Sequence, residues 1–413
     1  MLGYTLGPYA THAVHYPHQA QEAGGTPGNA TAASRVIVAY YADWTSGHLA
    51  PSAIPYSKLT HINYAFALPR QDGSIELQTP ELLNQVVSLA HASNVRILLS
   101  LGGWTGSRYF SSLVALAESR SRLIQSILSI LSTYRLDGID VDWEYPGREG
   151  MVCNQVDRAK DTPNFLLFLT ELRKALAQNM ELTLAVRVQP FDGVDSSGGG
   201  GAGPLSDVSA FEPLLTRLNL MAYDINGIWS STTGPNAPLH GPLSGESAVQ
   251  AWVSAGIPAS KLTLGVPFYG RSLTATSDLS SGTSMSAPHS PVTPQGDPED
   301  ALWADPCPGA PSAFGGIWQW RLLRGSTGSG GDAAPLSVGP TNPSDGWLRF
   351  EDRESETPWL YRPKDKRFIS YDDPVSLGKK VQWAKSQNLA GIMLWDLHQD
   401  NGELIDALQP ILR

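Results

Sequence analysis

The stretch Leu136–Gly147, LDGIDVDWEYPG, places Asp140, Asp142 and Glu144 at every second position, with Ile139, Val141 and Trp143 among them. Side chains alternate between the faces of a β-strand, so the three carboxyls share one face, roughly 6.5–7 Å apart, and the apolar residues take the other. Leu136, Ile139 and Val141 mark a strand buried in a parallel sheet and not a solvated edge. Acids crowded beside apolar surface repel one another and resist ionisation, an arrangement suited to acid–base chemistry.

Outward from this strand the chain is rhythmic. RVIVAYYADW (35–44), LTHINYAFAL (59–68) and VRILLSLGGW (95–104) read as three buried strands before it. LTLAVRV (182–188), LNLMAYDIN (218–226), LTLGVPFYGRS (262–272) and AGIMLWDLHQD (390–400) read as four after it. Helical text lies between them: a capped start at Thr79-Pro80-Glu81 with Leu82, Leu83, Val86, Val87 and Ala90 as its stripe, then 107–134, a start at Thr162-Pro163-Asn164, 207–217, 247–255, 374–388 and 403–412. Eight strands alternating with helices give an α/β chain with the count of a TIM (β/α)8 barrel. A broken doubly wound sheet is the alternative.

In a barrel the site lies at the C-terminal strand ends, where Asp43, Trp104, Glu144, Asp224, Arg271 and Asp396 fall. The domains expected are an irregular leader over 1–34, the barrel over 35–272 and 371–413, and an insertion rich in Ser, Pro, Gly and Trp over 273–370. His12, His15 and His18 in the leader read as a solvated tail. Asn29-Ala30-Thr31 matches a glycosylation acceptor. Gly198, Gly200 and Gly203 match G-x-G-x-x-G, but Pro204 and not a helix follows, so a loop is expected there and not a dinucleotide site.

The 413 residues carry 41% apolar and 16% charged side chains and a formal net charge of −10, which disfavours nucleic acid as a partner. No window approaches the ~20 apolar residues of a membrane span. The first 25 residues lack the basic and apolar segments of a secretory signal. Twelve Trp supply flat faces of the kind that pack on sugar rings. The two cysteines, Cys153 and Cys307, fall in loops expected on the active-site face, so one bridge between them is open.

Three carboxylates could hold Mg2+ or Ca2+, but no matching cluster of acids or His ends strands two, three or seven. Glycoside hydrolysis fits better. It needs one carboxyl kept protonated for the leaving oxygen and a negative or nucleophilic partner near the anomeric carbon. Glu144, outermost, suits the donor, and like charges so close raise at least one pKa.

Asp137-Gly138-Ile139-Asp140-Val141-Asp142-Trp143-Glu144 resembles the D-G-x-D-x-D-x-E signature of glycoside hydrolase family 18 chitinases, in a fungal-type wording of the sixth-strand loop, Asp224–Trp229. Ser100-Leu101-Gly102-Gly103, Met221-Ala222-Tyr223-Asp224, Pro267–Arg271 and Ile392–Asp396 resemble that family's other strand ends, and the insertion resembles its small α+β module. The resemblance implies a substrate-assisted retaining mechanism, in which the 2-acetamido oxygen attacks and an oxazolinium ion forms. Glu144 would protonate the glycosidic oxygen, Asp142 would bond the acetamido N–H, Asp140 would hold the Asp142 proton at rest, and Tyr223 would bond the acetamido carbonyl. Trp395 would floor the groove, with Tyr40, Phe66, Gly103, Trp104, Tyr145, Met221, Asp224, Tyr269 and Arg271 contacting sugar.

The resemblance also implies no cofactor or metal, chitin or chitooligosaccharides as partner, a monomer, and an extracellular location, with a cytoplasmic one left open by the missing signal. Strand five departs from the pattern, reading Ala185-Val186-Arg187 where relatives carry Ala-x-Pro. An endo-β-N-acetylglucosaminidase acting on N-glycans and a non-hydrolytic chitin lectin are the alternatives.

Overall fold

The computed structural model describes residues 35–194, 202–325 and 334–413. The leader, with its histidines and Asn29-Ala30-Thr31, and Gly198 and Gly200 of the glycine-rich stretch lie outside the described residues.

Eight parallel strands form the barrel: β1 Val36–Ala42, β2 His61–Pro69, β3 Arg96–Gly102, β4 Gly138–Asp142, β5 Glu181–Val186, β6 Arg217–Leu220, β7 Leu262–Pro267 and β8 Gly391–Trp395. Each pairs with its neighbour in sequence, and β8 pairs with β1 to close the ring. The doubly wound alternative is thereby excluded. Six main helices cover the ring: α1 Pro80–Ala92, α2 Ala117–Tyr134, α3 Asp161–Ala175, α4 Gly245–Ser254, α5 Pro374–Ser386 and α6 Glu403–Leu408.

Helix faces follow the 3.6-residue period. Leu83, Val86, Val87 and Ala90 of α1, Leu123, Ile127 and Leu131 of α2, and Phe165, Phe168, Leu169 and Leu172 of α3 are buried against the strands. Asp373 caps α5, accepting from the backbone N–H groups of Val375 and Ser376 at 2.9 Å, with Pro374 at the first position. The helical text at 107–134 is interrupted where Leu116 adopts extended backbone. The segment expected as a helix at 207–217 holds only a 3-10 turn, Ser209–Leu214, with Pro213 inside it.

The stretch 262–272 is two strands and not one. β7 ends at Pro267, and Tyr269–Thr274 leaves the ring to pair antiparallel with Ile317–Gln319 and Arg367–Ser370. Thr357–Arg362 and Leu348–Asp352 complete this five-stranded sheet. It starts at Tyr269 and not at residue 273, and carries its own apolar cluster that includes Leu279, Met285, Trp359, Tyr361 and Phe368.

At the opposite end of the ring, Glu181 receives Arg217 at 2.7 Å, Arg96 at 2.9 Å and His61 at 3.0 Å, all near the starts of their strands. No helix among the described residues is long and apolar enough to cross a membrane.

Candidate active site

β4 ends at Asp142, so Glu144 stands just beyond the strand, at the mouth of the barrel. The turn there is set by close backbone approach. A Cβ on Gly102, whose φ is +113°, would lie 2.2 Å from the Asp142 carbonyl oxygen, and one on Gly103 would lie 2.7 Å from the Phe66 ring. Only glycine fits both places. Ser107 then fixes the entry to Glu144, accepting its backbone N–H at 2.8 Å while donating to the Gly103 carbonyl at 2.8 Å. Asn154 donates to the Glu144 carbonyl at 3.0 Å.

Asp140 is fully buried and accepts four hydrogen bonds. Tyr40 (2.7 Å) and Ser100 (2.9 Å) reach one oxygen, and Thr183 (2.6 Å) and Asn219 (3.1 Å) reach the other. Burial raises its pKa while the Thr183, Tyr40 and Ser100 hydroxyls pull it down. Asp142 has no such support: its Oδ1 is buried without a hydrogen-bond partner among the described residues. Burial first, then the charges of Glu144 and Asp140, push the Asp142 carboxyl well above the usual range.

Burial lifts Glu144 to about 7, with a Tyr145 hydroxyl contact pulling down and Asp224 pushing up. The three acids on one face thus differ in environment: all three are raised by burial, but Asp140 alone is satisfied by four hydrogen-bond donors. Burial also raises Tyr223 well above the phenol range, so its hydroxyl stays a donor; its contact is the Met393 sulfur at 3.8 Å.

An apolar floor adjoins these groups. Val38, Tyr40, Ala65 and Met393 are buried together, with Phe66, Met221, Tyr223 and Trp395 packed against them. Trp395 stacks on Phe66 with centroids 5.7 Å apart and meets Tyr40 at 5.3 Å. Trp44, 61% exposed, stacks on Phe66 at 6.1 Å and extends this surface outward.

On the far wall, Asp224 sits at φ 58° and accepts from the Tyr269 hydroxyl at 2.7 Å and from Arg271 Nε at 2.5 Å. The Arg271 guanidinium lies 5.0 Å over the Trp229 ring, which is 58% exposed. Trp104, half-exposed, donates its indole N–H to Asp305 at 2.8 Å. Cys153 and Cys307 are joined in a disulfide.

Several strand-end residues serve local structure. Asp43 accepts from Thr79 at 2.5 Å, and Asp396 accepts the His398 backbone N–H at 3.1 Å to cap a turn. Arg187, at the departure in strand five, pairs with Asp192 at 2.8 Å. Sequence reasoning missed Thr183 and Asn219 as partners of Asp140. The signal was present: each is a lone polar residue in an otherwise apolar strand, LTLAV and LNLMA. Trp44 and Asp305 were missed as well, and no pattern in their loops points to the groove.

The sequence profile of glycosyl hydrolases family 18 matches residues 36–400. A "chitinase-like effector" of Moniliophthora roreri is 36% identical over 93% of this chain and 94% of its own length. Chitinase A1 of Niallia circulans is 28% identical over 92% of this chain and 58% of its own. Among solved structures, a chitinase from Rhizomucor miehei is 36% identical, covers 92% of this chain and all of its own, and superposes with a TM-score of 0.84.

Proposed function

The chain belongs to glycosyl hydrolases family 18, and on that premise we propose that it hydrolyses the β-1,4 linkages of chitin or chitooligosaccharides by substrate-assisted retention. The observation that carries the mechanism is Asp142: a buried carboxyl with an unpartnered oxygen between an acceptor-saturated Asp140 and a raised Glu144. Such a group is completed by an N–H donor, which the 2-acetamido substituent of the sugar supplies. Tyr223 donates to the acetamido carbonyl, aligning that oxygen on the anomeric carbon.

Glu144 protonates the glycosidic oxygen as the bond to C1 breaks and the acetamido oxygen bonds C1. The oxazolinium ion so formed is opened by a water that Glu144 deprotonates, which returns the enzyme to its starting state with configuration retained. Trp395 and Phe66 give the sugar an apolar floor. No metal enters the scheme; the carboxyls are reserved for protons.

Nuclear magnetic resonance of the first product tests this: β-anomer first supports retention, and α-anomer first refutes it. Parallel assays on chitotetraose and a high-mannose glycoprotein separate chitin from N-glycan cleavage. The second reading, a chitin binder that does not hydrolyse, is favoured by the name of the Moniliophthora relative. Glu144, Asp142 and Tyr223 all remain in place with shifted acidities, which supports hydrolysis.

A further inference from the structure

The eight-strand ring sets β3 opposite β7 and β2 opposite β6. Aromatic surface lies toward both ends of the β2–β6 diameter: exposed Trp44, which follows β1, stacks on the partly buried Phe66 of β2 beside Trp395, and exposed Trp229 lies in the loop after β6. Flat aromatic faces set along that diameter suit a row of sugar rings.

A hairpin arm, residues 297–316, links the β7 side of the mouth to the loops after β3 and β4. It is rooted in the sheet that continues from β7. Asp297 accepts the backbone N–H of Gln319 at 2.8 Å, and the Asp300 carboxylate gathers the N–H groups of Gly296, Gly315 and Gly316 at 2.7, 3.1 and 2.9 Å, clamping the two legs together. Trp303 and Ala313 exchange two backbone hydrogen bonds at 3.0 Å midway along. Arg271, at the centre of the far wall, donates to the Gly315 carbonyl at 3.2 Å.

The tip is fastened on the opposite side. Asp305 accepts the indole N–H of Trp104, which follows β3, and Cys307 is bonded to Cys153, in the loop after β4. The five residue steps from Asp300 to Asp305 can extend roughly 17 Å, a reach that suits a bridge across a barrel mouth.

We propose that this covalently pinned arm roofs the groove, so that a polymer chain enters by threading an end beneath it and is cut from its ends, while an internal segment or a bulky branched glycan is refused. The inference rests on the reading of the groove as a chitin site. It assigns a specificity role to Cys153, Cys307 and Asp305, none of which touches the reacting atoms. A closed path holds the product chain after each cut, whereas an open cleft releases it.

The experiment compares viscosity loss with reducing ends released from soluble carboxymethyl-chitin, using random acid hydrolysis of the same polymer as reference, and follows chitotetraose turnover in parallel. The wild-type enzyme is expected to lose severalfold less viscosity per reducing end than acid hydrolysis. The Cys153→Ser/Cys307→Ser double variant is expected to move toward the acid reference while turning over chitotetraose at a similar rate, and Asp305→Ala is expected to move the viscosity ratio in the same direction. Wild-type viscosity loss as steep as the acid reference overturns the roof, even if a variant fails to fold. Variants that fold and cut like wild type overturn the role of the fastening. Chitotetraose left intact by the wild type overturns the chitinase reading instead, so the two failures are distinguishable.

Discussion

Tyr40 and Asp140, one hundred residues apart in the chain, meet inside the barrel with the phenol donating to the carboxylate at 2.7 Å. The bond joins β1 to β4 and makes Asp140 a fixed acceptor beneath Asp142. Thr183 and Asn219 complete the same shell from β5 and β6. Thr183→Val removes one donor from a buried carboxylate and is expected to cost about 1–3 kcal/mol of stability. Because donors favour the charged form, the acid limb of kcat/KM moves to higher pH in this variant. Chemical denaturation and a pH–rate profile check both; the limb belongs to the Asp140–Asp142 pair jointly.

Glu144 titrates at about 7 through burial. As proton donor it must enter the reaction protonated, so kcat/KM on chitotetraose falls as pH rises through about 7. The same shift carries a stability consequence. A carboxyl raised in the folded state favours folding least when both states are ionised, so Glu144→Gln has a higher Tm than wild type at pH 8. That difference shrinks as pH falls through about 7 and is gone below about 4.5. Scanning calorimetry at both pH values measures it.

Asp224 pushes the Glu144 pKa up, and Arg271 pairs with Asp224. Opposite changes at the two positions therefore move the alkaline limb in opposite directions. Asp224→Asn, which keeps a residue tolerant of the left-handed backbone at φ 58°, lowers it. Arg271→Ala leaves the Asp224 charge uncompensated and raises it. Profiles shifted the same way in both variants would contradict this coupling.

Far from the site, Glu181 is held at about 2: burial opposes its charge, and His61 and Arg217 outweigh it. Its stabilisation is present above about 4.5 and is lost as pH falls through about 2. Glu181→Gln leaves Arg217, 5% exposed, without its carboxylate and is expected to cost about 3–5 kcal/mol at pH 7. The kcat of the folded fraction stays unchanged, which active-site titration establishes.

The barrel was legible because each buried strand is a short apolar run that ends in a polar or aromatic residue, and helical text separates most of the eight runs. Asp140, Asp142 and Glu144 were legible because alternation alone puts three acids on a face. The break between β7 and the strand at Tyr269 was not: VPFYGRS is apolar and β-prone on both sides of Phe268, so nothing local shows that the chain leaves the ring. The partners of Asp140 depend on register between strands, and the fastening of the arm on contacts between segments 154 and 201 residues apart. Asp305 and Cys307 lie in a loop whose text, WADPCPGAP, gives turns but no direction.

The central claim is that Glu144 is the proton shuttle of a working hydrolase. Chitotetraose turnover and binding by Glu144→Gln test it most directly, since the amide keeps the shape and removes the proton. The account predicts that turnover falls by orders of magnitude while the tetrasaccharide still binds; turnover at the wild-type rate would contradict it.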